Sequence, residues 1–264
     1  MKSDELFRQH VGIVLELSRC LGEPFVPKPD RARELKVQVA RCARLIRAGR
    51  LEEAAWHIRL LQAFVGEWDT VARVAPALIE EFRSRILSDD PTGGYLGVRT
   101  EVACAALICL DGTVPRRGHA ERGEPDFCVP ALCSDMHLEA TSAHLTKLRS
   151  DNFGKIRAGI VQKASKPYCG PDAALFFDYT SILHAAGDAM ATDFPDHVRA
   201  VVQETCWGAV LLTALVLDEP TQRLRRIYLR FDGARQYEPL RDWLDQHISP
   251  ARRHAGMVAI PPTA

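Results

Sequence analysis

The sequence predicts a mixed α/β protein: a central sheet flanked by helices, preceded by an N-terminal helical region. Three observations predict it. Apolar residues in the first ninety positions recur at helical spacing. A Pro- and Gly-bearing break, Ser88-Asp-Asp-Pro-Thr-Gly-Gly94, then interrupts the pattern. Beyond it the order becomes helix, strands, helix, strand, helix, strand, strand, which suits a sheet covered by helices.

Taken in order, Phe7, Val11, Val14 and Leu17 are spaced for one face of a first helix. Leu35, Val39, Ala43 and Ile46 repeat the spacing, and Gly49 stands where a helix C-cap belongs. Leu51 to Leu61 restarts the period, and Val71, Leu78, Phe82 and Ile86 carry it on. The stretch AGRLEEAAWHI is similar to a tetratricopeptide turn, but no second copy follows at one repeat length, so a few packed helices are expected. Past the break, Leu96–Leu110 is apolar and Ala-rich and reads as a helix. Pro125–Val129 and Met136–Thr141 read as strands, 152–166 as a polar helix capped by Asp151 or Asn152, and Ala173–Ile182 as a buried strand. Val198–Thr205 reads as a helix, Gly208–Asp218 and Arg225–Phe231 as strands, and Pro239–Ile248 as a last helix. The expected organisation is therefore a helical region over 1–90, an α/β domain over 91–250 and a loose tail over 251–264.

Composition narrows the function classes. The 264 residues carry 34 Lys plus Arg against 34 Asp plus Glu, so the net charge is 34 − 34 = 0 and a strongly basic, tail-driven nucleic-acid binder is excluded. Apolar residues make up 47%, enough for a packed core. The longest apolar stretch, Trp207 to Leu217, is about half of the ~20 residues a membrane-spanning helix needs. The N-terminus is charged from its second residue and shows no signal-peptide pattern. The eight cysteines form no CxxC pair, as expected of reduced, mostly buried thiols in a cytoplasmic protein. No GxxxxGK[ST] loop and no glycine-flanked nucleophile occur, which argues against a P-loop NTPase and an α/β-hydrolase.

Three carboxylates stand at unusual places. Glu101 lies in the apolar helix GVRTEVACAAL, Asp126 follows Pro125 at a strand start in GEPDFCVP, and Glu139 lies inside the strand MHLEATSA. The spacing 139 − 126 = 13 suits a hairpin that sets Asp126 and Glu139 side by side at one sheet edge. A carboxylate in a half-buried strand is costly unless it is paired or binds a cation. Converging carboxylates make a hard-oxygen site suited to Mg²⁺ or Mn²⁺. Each acid also has an ordinary alternative: a solvated helix face for Glu101, a turn for Asp126.

On these residues the chain resembles the PD-(D/E)XK nuclease superfamily, the restriction-endonuclease-like fold, over about Tyr95–Phe231. Pro125-Asp126 looks like its PD element and Glu139 like its second acid, with the helix bearing Glu101 before them. The resemblance implies a restriction-endonuclease-like domain that binds Mg²⁺ or Mn²⁺ through Asp126, Glu139 and Glu101 and cleaves nucleic acid, DNA before RNA. The usual lysine two residues after the second acid is absent. Thr141 stands there, on the strand face of Glu139 but without charge. Lys163 or Lys155, which share a helix face with Gln162, are the candidates to replace it, although lysines at such spacing also suit a solvated face. Tyr168 stands close enough in sequence to close the site, or to pack. The missing lysine keeps open an alternative, a catalytically inactive relative that binds nucleic acid or protein. Arg41, Arg44 and Arg47, Arg116 and Arg117, and Arg223, Arg225 and Arg226 are candidate phosphate-facing groups. The N-terminal helices are expected to serve a homodimer or a protein partner.

Overall fold

The computed structural model describes residues 2–24, 33–88, 94–130, 135–143, 152–186 and 194–248. It divides into two compact units, Met1–Val114 with Leu217–Arg225, and Pro115–Val216 with Arg226–Ala264.

The first unit is helical: α1 (Ser3–Leu21), α2 (Arg33–Arg47), α3 (Leu51–Val74), α4 (Pro76–Leu87) and α5 (Tyr95–Ile108), the last falling within the 91–250 span expected for the α/β domain. Gly49 caps α2 in the left-handed region at φ 71°, where a side chain is strained, and Arg50 N–H returns to Leu45 O at 3.0 Å. The run drawn from Val71 to Ile86 is two helices, because Pro76 takes the first turn of α4 where its missing N–H costs nothing. On α1 only part of the expected face is buried: Leu17 is, and Val14 is intermediate. Leu6, Ile13, Leu17 and Cys20 are buried, whereas Phe7 and Val11 are 56% and 43% exposed. α1 carries two apolar stripes, and spacing alone does not say which one the neighbouring helices cover. α5 is buried nearly all round, and the burial takes in Arg99, Thr100 and Glu101 along with its apolar residues.

The second unit carries β1 (Arg116–Arg117), β2 (Phe127–Val129), β3 (Met136–Ser142), α6 (Asn152–Ala164), β4 (Ala173–Asp178), α7 (Thr180–Ala186), α8 (Phe194–Gln203), β5 (Ala209–Asp218), β6 (Arg223–Asp232) and α9 (Glu238–His247). The distal ends of β5 and β6 fall in the first unit. Among the described residues the sheet is mixed, six strands in the order β1-β2-β3-β4-β5-β6. β1/β2 and β2/β3 are antiparallel; β3/β4 and β4/β5 are parallel. The fold class is thus α/β with a helix-flanked mixed sheet. The expected strand Ala173–Ile182 stops at Asp178, whose Oδ1 accepts the Thr180 N–H at 2.8 Å and starts α7 instead. The expected cap residue Asp151 and the tail lie outside the described residues.

One sheet face sits on a core built from Ala173, Leu175 and Phe177 of β4, Ile156 and Ile160 of α6, and Val198, Val201 and Val202 of α8. Gly159 lets α6 approach closely: a Cβ there would fall 2.4 Å from Phe177 Cε2. Glu139 pairs in register with Leu175, so it shares the face that α6 covers.

Candidate active site

The β2/β3 ladder pairs Phe127 with Leu138, and its next step sets Asp126 across from Glu139. A hydrogen bond fixes this: Asp126 Oδ2 accepts the Ala140 N–H at 2.9 Å. The hairpin spacing expected from sequence is therefore found. The pair does not stand at the sheet edge, because the two residues of β1 extend the sheet beyond β2. A two-residue strand leaves almost no alternating pattern to detect.

Glu139 is buried, 5% exposed. Its Oε1 accepts from Lys163 Nζ at 2.5 Å, so α6 delivers a cation to the second acid. Lys155 lies eight residues earlier, about 12 Å along the helix axis. Tyr168, just past α6, lies within hydrogen-bonding reach of Glu139. Burial first, and that hydrogen bond second, push its phenol well above the ordinary range, so it stands as a proton donor. Thr141 is half-buried two residues past Glu139, on the same face, in register with Phe177.

Asp126 has its own cation. Arg117 Nη1 lies 3.2 Å from Asp126 O and 3.5 Å from Oδ1, and the guanidinium sits over the Phe127 ring at 5.2 Å. Arg117 is thus mostly enclosed, with 17% of its side chain exposed, rather than presented as a free phosphate contact. Two carboxylates and two cations make the cluster electrically balanced. Glu101 belongs to the helical unit, where Arg85 holds both its oxygens, at 2.5 and 2.8 Å.

The remaining arginines differ. Arg41, Arg44, Arg47, Arg223 and Arg225 are exposed. Arg116 pairs with Asp135 at 2.9 Å. Arg226, expected among the phosphate-facing groups, is turned inward with 7% of its side chain exposed and meets Asp178 Oδ2 at 3.3 Å. Asp178 is 1% exposed and was not singled out in the sequence, where it ends an apolar run that gives no sign of a buried charge. The same is true of Arg117 as the partner of Asp126.

Among the described residues, no group of three or more His, Cys, Asp or Glu side chains converges for a metal. Two facing carboxylates do fit a hard cation that keeps several waters, the usual habit of Mg²⁺. No helix among the described residues is long and apolar enough to cross a membrane. No protein-family model matches the chain, and no curated protein or solved structure shows significant similarity to it.

Proposed function

We propose that this protein is a metal-dependent nuclease of the PD-(D/E)XK type, with a restriction-endonuclease-like domain that hydrolyses phosphodiester bonds, DNA before RNA. The observation that carries the reading is the placement of Lys163 on Glu139, directly across from Asp126. That arrangement resembles the acid–acid–cation set of the superfamily, with a lysine supplied from a helix. Asp126 and Glu139 would hold Mg²⁺ or Mn²⁺, which when bound polarises a phosphoryl oxygen and lowers the pKa of water. Lys163 orients water or stabilises charge on the phosphate, Tyr168 holds Glu139, Arg117 holds Asp126, and Thr141 lines the site. The proposed setting is the cytoplasm.

A second reading has its own support. Both carboxylates already have protein cations, an arrangement that suits an inactive nuclease-fold module binding nucleic acid or protein. Cleavage of supercoiled plasmid, single-stranded DNA and RNA, in Mg²⁺, Mn²⁺ or EDTA, separates the two. Metal-dependent cutting by wild type that is lost in Asp126→Asn and Glu139→Gln supports the enzyme. Cutting retained by a purified Glu139→Gln protein would remove the assignment. No cutting, with nucleic acid still bound, favours the module. Light scattering of the full chain, with and without the α1 variant Phe7→Ser, tests the expected homodimer.

A further inference from the structure

Seven described cysteines are free thiols. Five are buried: Cys20, Cys42, Cys104, Cys109 and Cys128. The two that reach solvent, Cys169 and Cys206, are in contact with each other. Cys169 shares a side-chain hydrogen bond with Cys206 and also receives its backbone N–H. The backbone around them ties the two segments together: Gly208 N–H donates to Gly170 O at 2.9 Å, and the Cys206 thiol donates to Ala164 O at 3.4 Å, in the last turn of α6. The Cys169 N–H returns to Lys166 O at 3.0 Å, a turn within the loop that follows α6.

We infer that Cys169 and Cys206 form an oxidative modification site, a dithiol that closes to an intramolecular disulfide when a small-molecule disulfide is present. Exposure sets the order of attack. The Cys206 thiolate attacks one sulfur of oxidised glutathione, forming a mixed disulfide and releasing one glutathione thiolate. The Cys169 thiolate then attacks the Cys206 sulfur, and the second glutathione leaves. Two thiol protons and two electrons pass from the protein to the glutathione pair, and the sulfur count balances. Burial, then the Cys206 thiol, push the Cys169 thiol above its usual range, so the exposed Cys206 attacks first and ring closure by Cys169 is the slower step. The disulfide would join the loop that follows Tyr168 to the approach to β5, and it withdraws the Cys206 thiol from α6 one residue past Lys163.

The test is peptide mapping by mass spectrometry of the folded full chain, treated with excess oxidised glutathione and quenched with an alkylating agent. The expected product is one cross-linked peptide pair carrying Cys169 and Cys206, with the five buried thiols alkylated only after unfolding. Cys169→Ser should instead retain glutathione on Cys206, and Cys206→Ser should give no cross-link. Wild type that keeps a stable glutathione adduct on Cys206, or that cross-links a different pair, overturns the proposal. None of these readouts depends on nuclease activity.

Discussion

Replacing Lys163 with Met tests the centre of the site without an activity assay. The change keeps the aliphatic length and removes the charge, leaving the Glu139 carboxylate, 7% exposed, without its cation. Removing one partner of a fully buried pair costs about 3–5 kcal/mol. Lys163 is itself 26% exposed, so water screens part of the interaction, and the cost falls to about 1–3 kcal/mol. With a urea slope of about 2 kcal/mol/M, that lowers the unfolding midpoint by roughly 0.5–1.5 M. The reverse variant, Glu139→Gln, frees a lysine that can turn to water, so its cost should be smaller, about 0.5–1 kcal/mol. The double variant should be no worse than Lys163→Met alone, a coupling that chemical denaturation reads directly. A Lys163→Met midpoint equal to wild type, or a Glu139→Gln variant that is the less stable of the two, would refute the buried-pair reasoning.

Three further outcomes are expected. Gly159→Ala sets a methyl 2.4 Å from Phe177 Cε2; overpacking of this kind costs about 1–3 kcal/mol, and an unchanged thermal midpoint would show that α6 is not seated there. Arg226→Met removes the cation from Asp178, 1% exposed, and should destabilise by about 3–5 kcal/mol, with Asp178→Asn in the same chain recovering much of the loss. Burial pushes the Cys20, Cys42 and Cys109 thiols from an ordinary 9.0 up to about 11. The unfolded chain therefore releases these protons while the folded chain keeps them, so stability falls as pH rises from about 9 to about 11. Cys42→Ala should fall less over that range, and parallel denaturation curves for the two proteins would contradict this.

Local rules carried the elements and the hairpin. An acid inside the strand MHLEATSA and a thirteen-residue spacing to Pro125-Asp126 were enough to place two carboxylates opposite each other, because strand alternation and ladder register are local geometry. The parts that were not legible depend on what packs across a surface. α1 offers two apolar stripes, and which one is buried is decided by its neighbours. Arg226 looks like Arg223 and Arg225 in sequence, yet its register on β6 brings it to Asp178 and Thr213. Arg117 reaches Asp126 only through a two-residue strand that no periodicity announces. Nor does sequence choose between Lys155 and Lys163, which share a helix side.

Helix and strand dimensions make that last choice, and they yield a strict test of the site. Parallel β3 and β4 require the intervening chain to return, so α6 runs against them. Gly159 anchors α6 on Phe177. Four residues onward, about 6 Å of helix rise, comes Lys163. Two residues back along β4, about 6.6 Å of strand, comes Leu175, the register partner of Glu139. The two displacements match, and Lys163 meets Glu139. Lys155 is carried the same distance the other way. Thr141, beside Phe177, is also about 6.6 Å from Glu139 and on the same face, within the span of a lysine side chain. On the proposed nuclease reading, Thr141→Lys should therefore return both stability and cleavage to the Lys163→Met protein, measured as the urea midpoint and as the metal-dependent nicking rate. Recovery of the midpoint without cleavage would mean that the charge at Glu139 only balances a buried acid. Recovery of neither would mean that the face shared by Glu139 and Thr141 does not open onto one site.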